Sequence, residues 1–393
     1  VYEIFVEGFD DGSNDGIPKL FADMLVTVDG LGAFWCKGMG LELVPDYPQP
    51  KLDQPLVPGR TPLANEEQVR AIQLGRPSDA FGEMYKPYDG PRNVPRLPGP
   101  PYDLVSRVMS ATGHMSLQTG SEIVVEYDVP QDAWYFGEGD GEMPYGVLLE
   151  AALQPCGWLA SWVGCAAKTE CDVFFRNLDG TGTLHRSVTP DDKVLTTTAT
   201  LTKYSKSGPM TIVGFDVDTR CGDEPIYTME TVFGFFPAEA LVSQAGITDN
   251  PPDLARVDSE TQIGKVGMLG LLSRVTHKSE EGGIHGAGRI VAEMDVDAGE
   301  WFFKAHFFGD PVQPGSLGLQ LMLDALSLFG DRRRAGAPIS GGGTHTWKYR
   351  GQVRPWKKQV VVDVHRRPDG LADAWLWTDG ECIYRFEGFG LGS

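Results

Sequence analysis

WFFKAHFFGDPVQPGSLGLQ, residues 301–320, is the stretch whose reading decides the fold. A single histidine, His306, stands among aromatics, and Pro314-Gly315 leads into a segment (317–329) that is apolar on nearly every face. A helix apolar all round belongs at the centre of a domain, not on its surface. The Pro-Gly turn at its start leaves backbone N–H groups free at the positive end of the helix, a ready place for a carbonyl oxygen that gains negative charge. With an imidazole close by, base and oxyanion site together point to proton abstraction next to a carbonyl.

Working outward, a strand GRIVAEMDVD (288–297) precedes this stretch, and the strands THTWKYRGQVRP, KQVVVDVHRRP, ADAWLWTDG and ECIYRFEGFGLG follow it. The same order occurs earlier. SEIVVEYDV (121–129) leads through AWYFGEGDGEMPYG to VLLEAALQPCGWLASWVG (147–164), a helix that Pro155 is expected to kink or restart. LHRSV, KVLTTTATLTKYS, MTIVGFDVDTR and PIYTMETVFGFFP then read as half-buried antiparallel strands. GSEIVVEYDVPQDAWYF pairs with AGRIVAEMDVDAGEWFF, and MPYGVLLEAAL with QPGSLGLQLML. Two repeats of one unit are therefore expected, 102–245 and 265–393, joined by a linker at 246–264. Each is α+β, an antiparallel sheet curled around one buried helix.

Residues 1–44 contain a hairpin, MLVTVDGLGAFWCKGMGLELV, whose wording resembles the final WTDGECIYRFEGFGLG; they read as the tail of a third, preceding unit. Residues 45–101 hold 13 of the 28 prolines and read as a connector, its one firm element a short helix in NEEQVRAIQLG (65–75) with an Asn cap and a Gly stop. A chain of 393 residues beginning at Val1, without Met or a signal-like segment, reads as a piece of a longer polypeptide. The net charge of −20 argues against nucleic acid, and no apolar run is long enough for a membrane span. The six cysteines show no CxxC spacing and suit a reducing cytoplasm. Residues 301–393 carry 12 Lys+Arg against 9 Asp+Glu, so Arg332-Arg333-Arg334, Lys357-Lys358 and Arg366-Arg367 could offer an acidic partner a docking surface, or simply a solvated face.

Residues 301–319 closely resemble the active-site stretch of the β-hydroxydecanoyl-ACP dehydratase family, hot-dog fold enzymes of fatty acid synthesis. The paired repeats, with PPYDLVSRV leading in, resemble the tandem dehydratase domains of polyunsaturated fatty acid synthases. The resemblance implies a double hot-dog fold and dehydration of 3-hydroxyacyl-ACP to 2-enoyl-ACP. Neither metal nor organic cofactor is implied, and the substrate would be carried on the phosphopantetheine of an acyl carrier protein within the same synthase. It also implies His306 as the base that moves the α-proton and Gly315 as the N–H that holds the thioester carbonyl. Val312 is implied as the carbonyl that orients the histidine ring. The acidic partner falls on Gln320 in the second repeat, and Gln cannot donate and accept a proton as an acid does. Aligning the repeats puts Glu150 at that position in the first, where Phe136-Gly137-Glu138-Gly139 replaces the histidine. One composite site, His306 with Glu150, is expected across the pseudo-twofold, and the opposite one, around Gly139 and Gln320, is expected to be dead.

A lone histidine in an aromatic stretch is usually a packed core residue, and a lone acid at a helix start is usually a cap; the spacing and the resemblance set those readings aside for His306 and Glu150. The other histidines read as structural or exposed, Asp310 as a structural turn residue that helps to fix its loop, and Gly341-Gly342-Gly343 as a flexible loop and not a phosphate cradle. A dehydratase that also shifts the double bond from trans-2 to cis-3 would use the same two groups. A hot-dog acyl thioesterase and a non-catalytic acyl-binding module are the remaining readings.

Overall fold

The computed structural model describes residues 2–11, 18–28, 31–42, 61–90, 92–136, 141–167, 169–249, 251–254, 261–266, 269–329 and 343–391. It divides into two units, Val1–Arg60 and Thr61–Ser393. The smaller is an antiparallel sheet of β1 (Tyr2–Asp10), β2 (Lys19–Val28) and β3 (Leu31–Glu42). β2 and β3 form the expected hairpin, with Val28 opposite Leu31; its Asp29-Gly30 turn lies outside the described residues. Ile4, Phe9, Phe34 and Trp35 on this sheet are exposed.

The larger unit opens with α1 (Glu66–Gln73), which takes the predicted cap: the Asn65 side chain accepts from Gln68 N–H while the Gln68 side chain accepts from Asn65 N–H. The connector holds more structure than that one helix. A second, α2 (Pro77–Phe81), and a 3-10 turn (Glu83–Tyr88) follow, because Phe81, Tyr85 and Tyr88 are all buried in the main core and tie the segment down.

The strands and helices of the first repeat are β4 (Arg107–Ala111), β5 (Glu122–Asp128), α3 (Tyr145–Trp162), β6 (Phe174–Leu184), β7 (Val194–Ser207), β8 (Met210–Cys221) and β9 (Glu224–Phe236). A short α4 (Ala238–Val242) and β10 (Thr261–Val266) lead to the second repeat, so a strand starts inside the stretch expected to be linker. That repeat comprises β11 (Leu272–Ser279), β12 (Arg289–Asp295), α5 (Trp301–Ala305), α6 (Gly315–Ser327), β13 (Thr344–Tyr349), β14 (Gln359–Arg366), β15 (Ala372–Thr378) and β16 (Glu381–Phe389). Among the described residues all thirteen strands from β4 onward form one sheet, ordered β10-β11-β12-β14-β15-β16-β13-β6-β9-β8-β7-β5-β4. Read outward from the β13–β6 seam, both halves have the same order, which is a pseudo-twofold. The ion clusters repeat too: Arg107 with Glu126 and Asp128 in one half, Arg274 with Glu293 and Asp295 in the other. α3 and α6 are buried almost throughout and pack on each other inside the curl. This is the double hot-dog fold, α+β.

Two local expectations change. α3 runs through Pro155 without ending; the helix is buried on all sides, and packing outweighs the one backbone bond a proline forgoes. The strand before β7 is Phe174–Leu184, and LHRSV contributes only Leu184, because Arg186 and Asp192 clamp the following loop by two hydrogen bonds. WFFKA forms one helical turn, with Phe302 and Phe303 turned into the core.

Gly180 and Trp347 face each other across the β6–β13 seam, where a Cβ on residue 180 would lie 2.0 Å from the indole. The ring is held by its Nε1–H donating to Asn177 Oδ1 at 2.7 Å, so it cannot swing aside freely. Gly180→Val should therefore cost at least about 1–3 kcal/mol by overpacking and lower the thermal midpoint. An unchanged midpoint would show that the seam tolerates a side chain there.

Candidate active site

His306 caps the single turn of α5, its N–H donating to Phe302 O at 2.9 Å. The chain then reverses: Phe307 and Asp310 exchange backbone hydrogen bonds, Gly309 takes a positive φ of 74°, and Val312 N–H returns to His306 O at 3.0 Å. The His306 Nδ1–H donates to Val312 O at 3.1 Å. A carbonyl can only accept, so this bond fixes the tautomer and leaves the Nε2 lone pair facing the interior. Asp310 fixes this loop, as its place in the turn suggests. It is buried, and its carboxylate binds Arg176 at 2.7 Å and Arg354 at 2.8 Å. Since Arg176 lies on β6, the first repeat holds the histidine loop of the second.

Glu150, in the second turn of α3, meets His306 across the halves: Oε1 lies 3.9 Å from Nε2. Its Oε2 accepts from Ser316 Oγ at 2.9 Å, and Gln154 Nε2 stands 3.4 Å from Oε1. Gly315 begins α6, where its N–H has no intrahelical acceptor. It must be glycine, because a Cβ would lie 2.8 Å from the Tyr349 ring. These groups line one cavity of about 80 Å³, together with Gln154 and Tyr349. The structure thus brings His306, Glu150, Gly315 and Val312 together around one cavity.

Burial drives the two titrations apart. It raises the Glu150 pKa to about 7, against the lowering pull of the Ser316 and Gln154 hydrogen bonds. Burial likewise lowers His306 to about 3; the Val312 bond opposes this, and the Arg176 guanidinium adds to it. Near neutral pH the imidazole is therefore neutral and much of Glu150 is protonated. Their 3.9 Å contact is a base beside an acid and not an ion pair.

The opposite half differs. Gln320 Oε1 accepts Gly146 N–H at 3.0 Å, and its Nε2 donates to Asp324 at 2.8 Å. Carboxyl and amide four residues apart therefore occur in both helices, in swapped order: Glu150 with Gln154, Gln320 with Asp324. At the place of Gly315 stands Tyr145, its hydroxyl 2.8 Å from His345 Nε2 and 3.0 Å from Tyr227 OH. Residues 137–140, including Gly139, lie outside the described residues.

Sequence reasoning missed Ser316, Gln154 and Arg176. The spacing of Gln154, one turn after Glu150, was the one legible signal. Of the proposed basic clusters, Arg366 and Arg367 are spent on Glu280 and Asp373, Lys357 lies 3.7 Å from Asp379, and Arg332-Arg333-Arg334 fall outside the described residues. His285 and His365 take aspartate partners, Asp373 and Asp363, within the second repeat's sheet. Among the described residues no cluster suits a metal ion, and no helix is long and apolar enough to cross a membrane.

The FabA-like domain model matches residues 97–230 and 265–387, one match on each repeat. The chain belongs to the FabA-like family. It is similar to a polyunsaturated fatty acid synthase polypeptide of Thraustochytrium sp. (strain ATCC 26185 / S-3), 28% identical over 396 residues and 86% of this chain. The chain spans only 26% of that relative's length. Solved structures are more distant. An acyl-CoA thioesterase II from Mycobacterium marinum is 14% identical, covering 68% of this chain and 90% of its own at a TM-score of 0.42. A structure from work on dehydratase substrate selection in the borrelidin and fluvirucin polyketide synthases is 15% identical, covering 72% and 92% at 0.40. Likenesses this remote say nothing about the reaction.

A raised folded-state pKa means that Glu150 costs no stability below its unfolded value of 4.5 and loses stability as pH rises through about 7. Gln at this position does not titrate. Glu150→Gln should therefore gain on the wild type between those pH values, by up to about 3 kcal/mol above pH 7. Thermal midpoints at pH 5 and pH 8 check this; an equal difference at both would contradict it.

Proposed function

We propose that this FabA-like double hot-dog domain dehydrates 3-hydroxyacyl thioesters carried on the phosphopantetheine of an acyl carrier protein, giving 2-enoyl-ACP. It would work in the cytoplasm as part of a polyunsaturated fatty acid synthase. The observation that carries the reading is the buried pair of Glu150 and His306, one from each repeat, 3.9 Å apart and both able to be neutral at pH 7. In this mechanism His306 Nε2 takes the C2 proton. The Gly315 N–H holds the thioester oxygen as it becomes an enolate. Glu150 gives its proton to the C3 hydroxyl, which leaves as water while the C2–C3 double bond forms. Because acid and base stand side by side, the elimination is syn. The cycle ends with an imidazolium beside a carboxylate, and their pKa order returns the proton to Glu150.

The reading needs no metal or organic cofactor. The acyl carrier protein and neighbouring domains of the same synthase are its partners. Likeness between the β2–β3 hairpin and the closing strands of the second repeat supports reading residues 1–44 as the end of a preceding hot-dog domain, ahead of a connector over 45–101. Residues 102–245 and 265–393 are then the two repeats.

His306→Ala and Glu150→Gln should each lower kcat/KM on a 3-hydroxyacyl thioester by about 10²–10⁴-fold with native circular dichroism. Near-full activity in either variant would break the composite site. Mass spectrometry of the wild-type product should show loss of water; free acid would mark a thioesterase, and a cis-3-enoyl product a dehydratase that also isomerises. For the wild type, kcat/KM should fall as pH rises through about 7, where Glu150 loses its proton, and should not fall on the acid side until pH nears the His306 value of about 3.

A further inference from the structure

Gln313 is 2% exposed, and neither its side-chain oxygen nor its side-chain nitrogen has a hydrogen-bond partner among the described residues. Its backbone is tied down, the N–H donating to Val353 O at 2.9 Å. The hydroxyl of buried Tyr349 is unpartnered among the described residues in the same way. Both residues line the cavity that holds His306, Glu150 and Gly315. A buried amide left unmatched at both ends is costly, and on a cavity wall a ligand can remove that cost.

The other half of the molecule shows that the fold does not need these polar groups. In the alignment of MPYG with QPGS, Met143 takes the place of Gln313, and its N–H donates to Val188 O at 2.7 Å as that of Gln313 does to Val353 O. Leu184 ends β6 just before Val188, as Tyr349 ends β13 just before Val353. Met143 and Leu184 are buried like their counterparts, but apolar. One backbone frame thus carries an apolar pair on the side without the histidine and a polar pair on the side with it.

We propose that Gln313 is a specificity-determining residue whose side chain binds the pantetheine amide nearest the thioester sulfur. The inference rests on the dehydratase reading above and deepens it, naming what the site recognises in the substrate besides the reacting carbons.

The polar groups of such a substrate can be assigned in turn. The thioester oxygen goes to the Gly315 N–H and the 3-hydroxyl to Glu150. Beyond C3 the acyl chain is hydrocarbon. On the other side of the sulfur, the next polar group is a secondary amide two methylenes away. It offers one N–H and one C=O, and a glutamine side chain offers the complementary C=O and N–H. Gln313 stands close to Gly315 in sequence, and the Tyr349 ring is 2.8 Å from where a Gly315 Cβ would be, so the two orphaned groups share the thioester end of the cavity. A carboxamide also carries no charge at any working pH. It can hold the arm without disturbing the titrations of Glu150 and His306.

The test compares two thioesters: 3-hydroxyhexanoyl-N-acetylcysteamine and its acetoxyethyl counterpart, in which an ester oxygen replaces the amide N–H. In the wild type kcat/KM should favour the amide by about tenfold or more, because the ester leaves the Gln313 oxygen unmatched. In Gln313→Met, which installs the side chain of the other half, that ratio should fall to about one; Gln313→Leu serves if the Met variant fails to fold. A wild-type ratio near one overturns the inference. So does a preference that survives in the variant, with an equal loss on both thioesters, since Gln313 would then only support its turn. Calorimetry with the two hexanoyl thioesters, which have no hydroxyl to lose, reads the same preference without turnover. If the wild type makes no enoyl product yet binds the amide form about tenfold tighter, and the variant does not, the dehydratase reading fails and recognition by Gln313 stands; enoyl product with no amide preference is the opposite case.

Discussion

Where α3 and α6 begin, Gly146 has no side chain, and the Ser316 carbonyl lies 2.8 Å from where its Cβ would be. Two helix N-termini can approach so closely only because one of them offers bare backbone at the crossing. The approach puts Glu150, one turn into α3, within reach of a hydroxyl at the start of α6. It also brings the α6 N–H groups to the cavity that His306 enters from the loop before that helix. Were the helices a side chain further apart, the acid from one repeat and the histidine from the other would not share a cavity.

The energetics of that cavity run against stability. Burial works against charge on Glu150 and on His306 alike, so the pair is cheapest when both are neutral. The opposite arrangement appears nearby at Asp310, a buried carboxylate held between two guanidiniums, Arg176 and Arg354. The first arrangement leaves protons free to move and the second pins a loop. The difference is whether a cation faces the carboxylate, not how deeply it is buried.

Much of this was legible in the residues alone. The repeat gave the order of the strands, and the register of MPYGVLLEAAL against QPGSLGLQLML put Glu150 opposite Gln320. What escaped was local. Aromatic WFFKA has the composition of a strand, yet burial of Phe302 and Phe303 makes it a helical turn. The strand through LDGTGTL went unread because its glycines admit Trp347 and Tyr227 rather than packing side chains of their own. Ser316 and Gln313 carry no periodic signal, since a polar side chain that matters and one that merely fits look alike in sequence.

The swapped order of carboxyl and amide, Glu150–Gln154 against Gln320–Asp324, bears on how such a protein tolerates change. In a symmetric pair of identical chains, losing the acid or the histidine silences both sites at once. Joining the halves in one polypeptide lets each drift separately. One half can give up its acid and the other its histidine, provided the two losses fall on the same side of the pseudo-twofold. The released side is then free to be filled, as Tyr145, Tyr227 and His345 fill it here, and to serve as ballast for the side that keeps both His306 and Glu150.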